Sequence, residues 1–313
     1  MVTEILFRKT KNYIKVDDNM VKLTVFTPTF NRAYTIHKCY EGLKKQTNKD
    51  FIWLIVDDGS SDNTKELVES WIEEGFINIK YIYQDNQGMH GAHNTAYENI
   101  DTELNVCIDS DDYMPKDAVE KILKFWKENK SPELAGFIGL DAYENQEVIG
   151  DKFPENLDDT TLFEINNKFK IKGDKKLVYR SEITKKYTYP LFEGERYVGL
   201  AYKYYKIDEE YKLKLFNEVL CIVEYMEDGS SKNMLKQYRK NPRGFAFYRI
   251  ENMKNKRSSM MFKIRENVHY VSSSLISRNK KFIKESPCKI LTTLSIPMGF
   301  ILYKYIIRNT AEN

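Results

Sequence analysis

Phe51-Ile52-Trp53-Leu54-Ile55-Val56-Asp57-Asp58-Gly59-Ser60 is the stretch on which the fold is decided. Its unbroken apolar run is what a strand buried on both faces requires, and such strands belong to sheets covered by helices on either side. The run ends at two aspartates and a glycine, after which Ser61 and Asp62 lead into a helical pattern from about Asn63 to Glu73. Ser61 or Asp62 is placed to cap that helix, with Glu66 as the carboxylate of a capping box.

Upstream, Lys22–Pro28 is a β-rich run ended by proline, and Ala33–Gln46 carries Ile36, Tyr40 and Leu43 at helical spacing. Downstream, Asn78–Tyr83 reads as a strand, Gly88–Asn99 as a loop entering a helix, and Leu104–Ile108 as another strand. Pro115 then stands in the first turn of a further helix. This β-α-β-α-β-α-β-α order predicts an α/β fold with a mostly parallel sheet and helices on both faces. Right-handed crossovers bring the C-terminal ends of the strands to one edge. The polar clusters Thr27–Asn31, Asp57–Ser60 and Asp109–Asp112 all follow strand ends, so they are expected to share the crevice where open α/β sheets bind ligands.

Beyond about Lys130 the pattern loosens. Leu134–Tyr143 and Lys175–Tyr179 read as strands, Glu195–Tyr205 as a helix and Leu213–Glu224 as a strand pair. From Asn233 onward the chain is basic, helical and studded with aromatic residues. The expected organisation is a leader over 1–20, an α/β domain over 21–230 and a mainly helical region over 231–313.

Composition narrows the function. Apolar residues at 42% and charged residues at 30% describe a folded chain, and a net charge of +3 without a recognisable module argues against nucleic acid as a partner. Cys39, Cys107, Cys221 and Cys288 lie far apart with no metal-ligand spacing and read as reduced thiols. Met1–Lys15 has only a short apolar patch among charges, so no secretory signal is expected and the chain is assigned to the cytoplasm. Near the other end, ILTTLSIPMGFILY (290–303) is uncharged but shorter than the ~20 residues a membrane span needs. It reads either as a buried helical hairpin or as an interfacial segment. Its flanks, Lys280, Lys281, Lys284, Lys289, Lys304 and Arg308, suit peripheral contact through 280–308 at the inner face of the cell membrane.

Four constellations carry chemistry. Asp109-Ser110-Asp111-Asp112 crowds carboxylates that repel one another unless a cation sits among them, and hard oxygen ligands suit Mg²⁺ or Mn²⁺; an acidic cap on the next helix would need only one of them. Asp57 and Asp58 can accept hydrogen bonds from a base or a ribose, or serve the turn at Gly59. Gly88, with His90, His93 and Asn94 after it, opens a helix whose N–H groups favour phosphate; each histidine is otherwise a satisfied structural one. In Glu193-Gly194-Glu195-Arg196, Glu195 ahead of Glu193 is a candidate general base, or else a charge favoured at a helix start.

Taken together, Thr27-Pro28-Thr29-Phe30-Asn31-Arg32, Val56–Asp62, Asn86–Asn94 and Ile108–Asp112 resemble, in order and spacing, the family-2 glycosyltransferases of the GT-A fold. The resemblance covers about 21–130 and extends weakly to Glu195. It implies an inverting transferase that uses a nucleoside-diphosphate sugar, a UDP-sugar being favoured, with a divalent metal (Mn²⁺ or Mg²⁺). Thr27, Pro28, Thr29, Asn31, Arg32, Asp57, Asp58, Gly88, His90, His93, Asn94, Asp109 and Ser110 would line the donor. Asp109 and Asp111 would hold the metal, Asp112 would stand beside them as a second candidate or acceptor-side contact, and Glu195 would take the acceptor proton. Two positions depart from the family pattern: His93 stands where many members carry arginine, and Arg196 where an acidic residue is usual. The segment Glu193–Val198 is similar to a subgroup acting in bacterial capsule and teichoic-acid assembly, which implies a glycan or lipid-linked acceptor. A nucleotidyltransferase would want a glycine-rich phosphate loop where Thr29–Arg32 stands, and a non-catalytic sugar-nucleotide-binding subunit would not be expected to keep the acidic triplet.

Overall fold

The computed structural model describes residues 23–224 and 233–310, and residues 4–7 by backbone alone. The expected leader, apart from 4–7, and the expected boundary near 230 lie outside the described residues. The chain separates into two compact units, Met1–Thr188 with Glu210–Glu224, and Tyr189–Glu209 with Tyr225–Asn313.

In the first unit the strand–helix alternation forms as the sequence pattern requires. The elements are β1 (Glu4–Phe7), β2 (Leu23–Thr29), α1 (His37–Lys44), β3 (Phe51–Asp57), α2 (Thr64–Glu74), β4 (Ile79–Tyr83), α3 (Met89–Glu98), β5 (Leu104–Cys107) and α4 (Ala118–Asn129). They are followed by β6 (Leu134–Ala142), β7 (Asp159–Thr160), short helices α5 (Leu162–Glu164) and α6 (Ser181–Thr184) either side of β8 (Lys175–Arg180), and, after α7 (Ala201–Ile207) of the second unit, β9 (Lys212–Ile222). The strands make one sheet in the order β1-β4-β3-β2-β5-β8-β6-β9-β7. Its winding half, β4-β3-β2-β5, is parallel throughout, whereas β8 enters antiparallel between β5 and β6.

Alternation along β2 shows why helices cover both faces. Leu23 and Val25 join Trp53 and Ile55 in a core shared with α1, α2 and α4. There Tyr40 stacks on Trp71 with centroids 4.4 Å apart, and Trp71 on Trp53 at 5.8 Å. Phe26 points the other way and meets His93 and Tyr97 of α3 edge-on, each at 5.2 Å. Side chains two apart share a face and neighbours oppose, so a strand with apolar residues at every position needs both layers.

The second unit is helical: α7, then α8 (Met234–Lys240), α9 (Pro242–Lys254), α10 (Met260–Ile276), α11 (Phe282–Glu285), α12 (Lys289–Leu294) and α13 (Ile296–Asn309). Ser259 caps α10 through the Phe262 N–H at 3.2 Å. Inside, the fully buried Glu266 of α10 is matched by Arg249 of α9 at 2.9 Å and by Asn252 at 2.8 Å. A buried carboxylate keeps its charge only when so paired, and here burial is outweighed by Arg249, which leaves Glu266 below its usual range. Among the described residues no helix is long and apolar enough to cross a membrane.

Four local expectations are corrected. The helix expected over Glu195–Tyr205 starts only at Ala201, because Gly194 and Gly199 interrupt it and Glu195 is engaged elsewhere. The strand pair expected over Leu213–Glu224 is one long strand, since Asn217 binds the Phe153 backbone instead of turning the chain. The helix after Asp57–Asp58 starts at Thr64, with Asn63 at the cap position making no side-chain bond; Asp62 accepts from the Thr64 N–H at 3.1 Å. Residues 290–303 form no hairpin, because Ser295 keeps right-handed helical dihedrals between α12 and α13.

Candidate active site

Strand register sets the site. Thr29 pairs with Asp57 and Asp57 with Tyr83, so β2, β3 and β4 end level, while Cys107 pairs with Phe26 and leaves Asp109–Asp112 beside the end of β2. The three polar clusters therefore share the sheet edge that the element order predicts.

Much of the side-chain chemistry at this edge is spent on joining the loops. Asp57 is fully buried; its carboxylate accepts from the Ser60 N–H at 2.7 Å and the Tyr81 hydroxyl at 2.7 Å. Burial pushes that tyrosine well above its ordinary range, with Asp57 adding to it. Asp58 accepts from the Gln84 amide at 2.7 Å, the Gln87 N–H at 2.8 Å and the Gly88 N–H at 2.7 Å. It thus fixes the turn that opens α3, where Gly88 has φ +82°, a conformation only glycine takes without strain. Asn31, itself at φ +53°, accepts from the Ser61 N–H at 2.8 Å, and its own N–H donates to Ser60 Oγ. Thr27 is buried with its hydroxyl accepting from Trp53 Nε1 at 3.0 Å.

The Gly88 loop carries His90 and His93 into the interior, where both are about 1% exposed, and Asn94 is buried as well. His93 lies against Phe26 and Tyr97, with Nε2 3.9 Å from Cys107 Sγ. What faces outward near the end of β2 is the part-exposed Pro28 and Arg32, with exposed Phe30 and Tyr34 beside them. Arg32 donates to the Tyr34 hydroxyl. Thr29 Oγ1 is buried with no hydrogen-bond partner among the described residues.

The acidic triplet is divided by its turn. Asp112 N–H closes on Asp109 O at 3.0 Å, and Cys39 Sγ of α1 donates to the carbonyls of both Asp109 and Asp112, at 3.1 and 3.0 Å. This geometry leaves Asp109 exposed and Asp111 part-exposed, with Ser110 and Asp112 buried. Asp112 accepts from the Glu224 N–H at 3.2 Å and lies 3.9 Å from Cys221 Sγ, which ties the turn to the end of β9. Burial pushes the Asp112 carboxyl up to about 7; Lys176 opposes this, and Asp109 and Asp111 add to it. Lys176 of β8 is a buried cation 3.9 Å from Asp141 of β6. Burial alone would lower the Lys176 pKa, but Asp141, Cys221, Asp112 and Asp109 outweigh it and hold the side chain protonated. Asp141 has burial pushing it up to about 6 against the pull of Lys176.

No group of three or more His, Cys, Asp or Glu able to hold a metal occurs among the described residues. The two outward carboxylates, Asp109 and Asp111, fit a different arrangement, in which a hard divalent cation takes one or two protein carboxylates and completes its shell with diphosphate oxygens and water.

Residues 24–187, more than half of the 313-residue chain, match the family Glycosyl transferase family 2. The chain belongs to that family. Among its relatives, glycosyltransferase GlyA of Streptococcus pneumoniae is 30% identical over 187 residues, 58% of this chain and 26% of GlyA. The poly(ribitol-phosphate) β-N-acetylglucosaminyltransferase TarP of Staphylococcus aureus is 29% identical over 124 residues, 39% of this chain and 38% of TarP. The chain thus spans about a quarter to two fifths of the length of these two relatives. In three dimensions it is similar to S. aureus TarS 1–349 in complex with UDP-GlcNAc, with a TM-score of 0.60 at 16% identity, over 92% of this chain and 91% of that one. At that identity the likeness establishes the GT-A fold.

Within this family-2 glycosyltransferase, Glu195 belongs to the helical unit, where it is clamped rather than exposed. Oε1 accepts from the Arg243 N–H at 3.0 Å and Arg243 Nε at 2.9 Å, and Oε2 from the Gly244 N–H at 2.8 Å. These are among the first amides of α9, which Pro242 opens, so the carboxylate meets the positive end of the helix. Glu193 is exposed, and its carbonyl accepts from Arg243.

Reading the sequence for motifs misses the supports: Cys39, Gln84, Lys176, Asp141, Cys221 and Glu224. Only Asp141 carried a signal, a charge within an apolar strand. One consequence can be tested directly. Asp58→Asn replaces an oxygen that accepts a backbone N–H with an amide donor, and should cost about 2 kcal/mol in urea unfolding. A stability within ~0.5 kcal/mol of wild type would mean that the 84–88 turn holds without it.

Proposed function

We propose that the chain catalyses inverting transfer of a sugar from a nucleoside-diphosphate sugar, a UDP-sugar by preference, to a hydroxyl of a glycan or lipid-linked acceptor of the bacterial cell surface. One observation carries this reading: the turn after β5 buries Asp112 and presents Asp109 and Asp111 at the C-terminal edge of a parallel sheet. Two outward carboxylates at such an edge suit a diphosphate-bound Mn²⁺ or Mg²⁺ and little else. UDP is favoured because TarS, of like fold, is seen with UDP-GlcNAc; a Pyrobaculum calidifontis mannosyltransferase of similar fold, seen with GDP-Man and Mn²⁺, marks the guanine alternative. The acceptor class follows the name of TarP and of a Campylobacter jejuni glucosyltransferase acting on an undecaprenol-linked glycan.

Each candidate residue takes a role in this proposal. A metal on Asp109 and Asp111 would offset charge developing on the leaving diphosphate. Pro28, Arg32 and Thr29, whose buried hydroxyl has no partner among the described residues, would meet the donor directly. Thr27, Asn31, Asp57, Asp58, Gly88, His90, His93, Asn94 and Ser110 would keep the loops in place beneath it. Asp112 would support the turn from inside. Glu195 has one lone pair left, on Oε2, and with it would accept the acceptor hydroxyl proton as the anomeric carbon is attacked; Glu193 is the exposed alternative. We place the reaction at the cytoplasmic face of the membrane, with residues 280–308 in contact with it.

Calorimetric titration with UDP, GDP and their sugars, with Mn²⁺ and with chelator, tests the reading. Metal-dependent binding of one base is expected. Equal binding in chelator would remove the metal from the proposal, and no binding of any would point to a subunit without catalytic activity.

A further inference from the structure

α12 and α13 are amphipathic in the inverted sense. Towards the rest of the helical unit they turn Thr292, Ser295, Gly299, Ile306 and Thr310, all buried and mostly small or polar. Thr292 bonds Asn267 of α10 and Ser286, and a Cβ on Gly299 would lie 2.5 Å from Val271 Cβ, so this line is the packing face. On the opposite side, away from that unit, they turn Ile290, Leu294, Met298, Ile301 and Tyr305, which are 54–81% exposed. The steps between these five are four, four, three and four residues, and the helical dihedrals of Ser295 carry the stripe across the junction. A row of large apolar side chains on the solvent side of a stably packed helix marks an interaction face.

Charge identifies what covers it. Between Ser286 and Arg308 there are three cations, Lys289, Lys304 and Arg308, all exposed, and no acidic residue. Lys280, Lys281 and Lys284 of the preceding turn are exposed as well, with Glu285 as the single anion there. A second copy of this chain would bring the same cations against these. A surface of anionic lipid offers apolar depth for the stripe and negative headgroups for the rim. We propose that Ile290, Leu294, Met298, Ile301 and Tyr305 insert into an anionic lipid surface, held there by Lys289, Lys304 and Arg308. The proposal does not depend on the donor or the acceptor, so it can fail while the reaction stands.

Co-sedimentation of the full chain with phosphatidylglycerol and with phosphatidylcholine vesicles tests it. Binding to the anionic vesicles, weakened as salt rises, is expected, and Leu294→Gln/Ile301→Gln should lower it at least tenfold. Lys304→Gln/Arg308→Gln should flatten the salt dependence. All four positions are exposed or half-exposed on the outer side, so circular dichroism and donor-binding titrations should match wild type. Equal binding to both vesicle types, or binding indifferent to Leu294→Gln/Ile301→Gln, would overturn the proposal. So would a concentration-dependent dimer in sedimentation velocity that those substitutions abolish in protein that ignores vesicles, which would assign the stripe to a second copy.

Discussion

Replacing Asp111 with alanine is expected to lower sugar transfer by about 10²–10³-fold while leaving the unfolding transition where it is. The turn that carries Asp111 is closed by the Asp112 N–H on Asp109 O and pinned by the Cys39 thiol. Neither support uses the Asp111 carboxylate, and its removal relieves repulsion with Asp109 and Asp112. Chemistry should suffer where stability does not, because one of the two carboxylates proposed to hold the cation would be gone. Transfer rates measured over a Mn²⁺ series, beside a thermal melt, separate the two quantities. Near-wild-type transfer at saturating Mn²⁺ would remove Asp111 from the site.

Glu195→Gln should have a compound effect. As the proposed base, its loss removes a factor of about 10²–10⁴ in transfer. As the partner of Arg243 and of two α9 amides, its loss should also destabilise the helical unit by about 2–3 kcal/mol, since an amide presents N–H groups where Arg243 and Gly244 already donate. The two contributions are separated by urea unfolding followed by transfer assays at a temperature where the variant is folded. If transfer recovers fully in folded variant, Glu195 is a clamp and the base lies elsewhere, with Glu193→Gln the next test. A deficit that persists with donor affinity unchanged supports the base.

These predictions draw on the sequence and the structure unequally. The parallel half of the sheet was legible because its signals are local: apolar runs at β3 and β5, helical spacing between them, and polar clusters at strand ends. The family followed from the order of those clusters. Element ends were less legible where partners lie far along the chain. Glu195 begins no helix of its own because its carboxylate is claimed by amides 48 and 49 residues away. Likewise Asn217 makes no turn because Phe153 holds it.

The sequence by itself determined the α/β winding, the edge at which a donor would bind and the inventory of groups there, since periodicity and strand-end position are properties of adjacent residues. Tertiary structure alone decided which of those groups face out. Asp109 and Asp111 are presented and Asp112 is buried because Cys39, Cys221 and Glu224 grip the turn from α1 and β9. Asp57 and Asp58 turn inward because Tyr81, Gln84 and the Gly88 amide offer them donors. The apolar stripe of α12 and α13 faces away from the helical unit because Gly299 and Thr292, the residues that permit close approach to α10, lie on the opposite side. In each case the outcome rests on which donor or surface lies within a few ångströms, and contacts between distant segments exist only once the chain has folded.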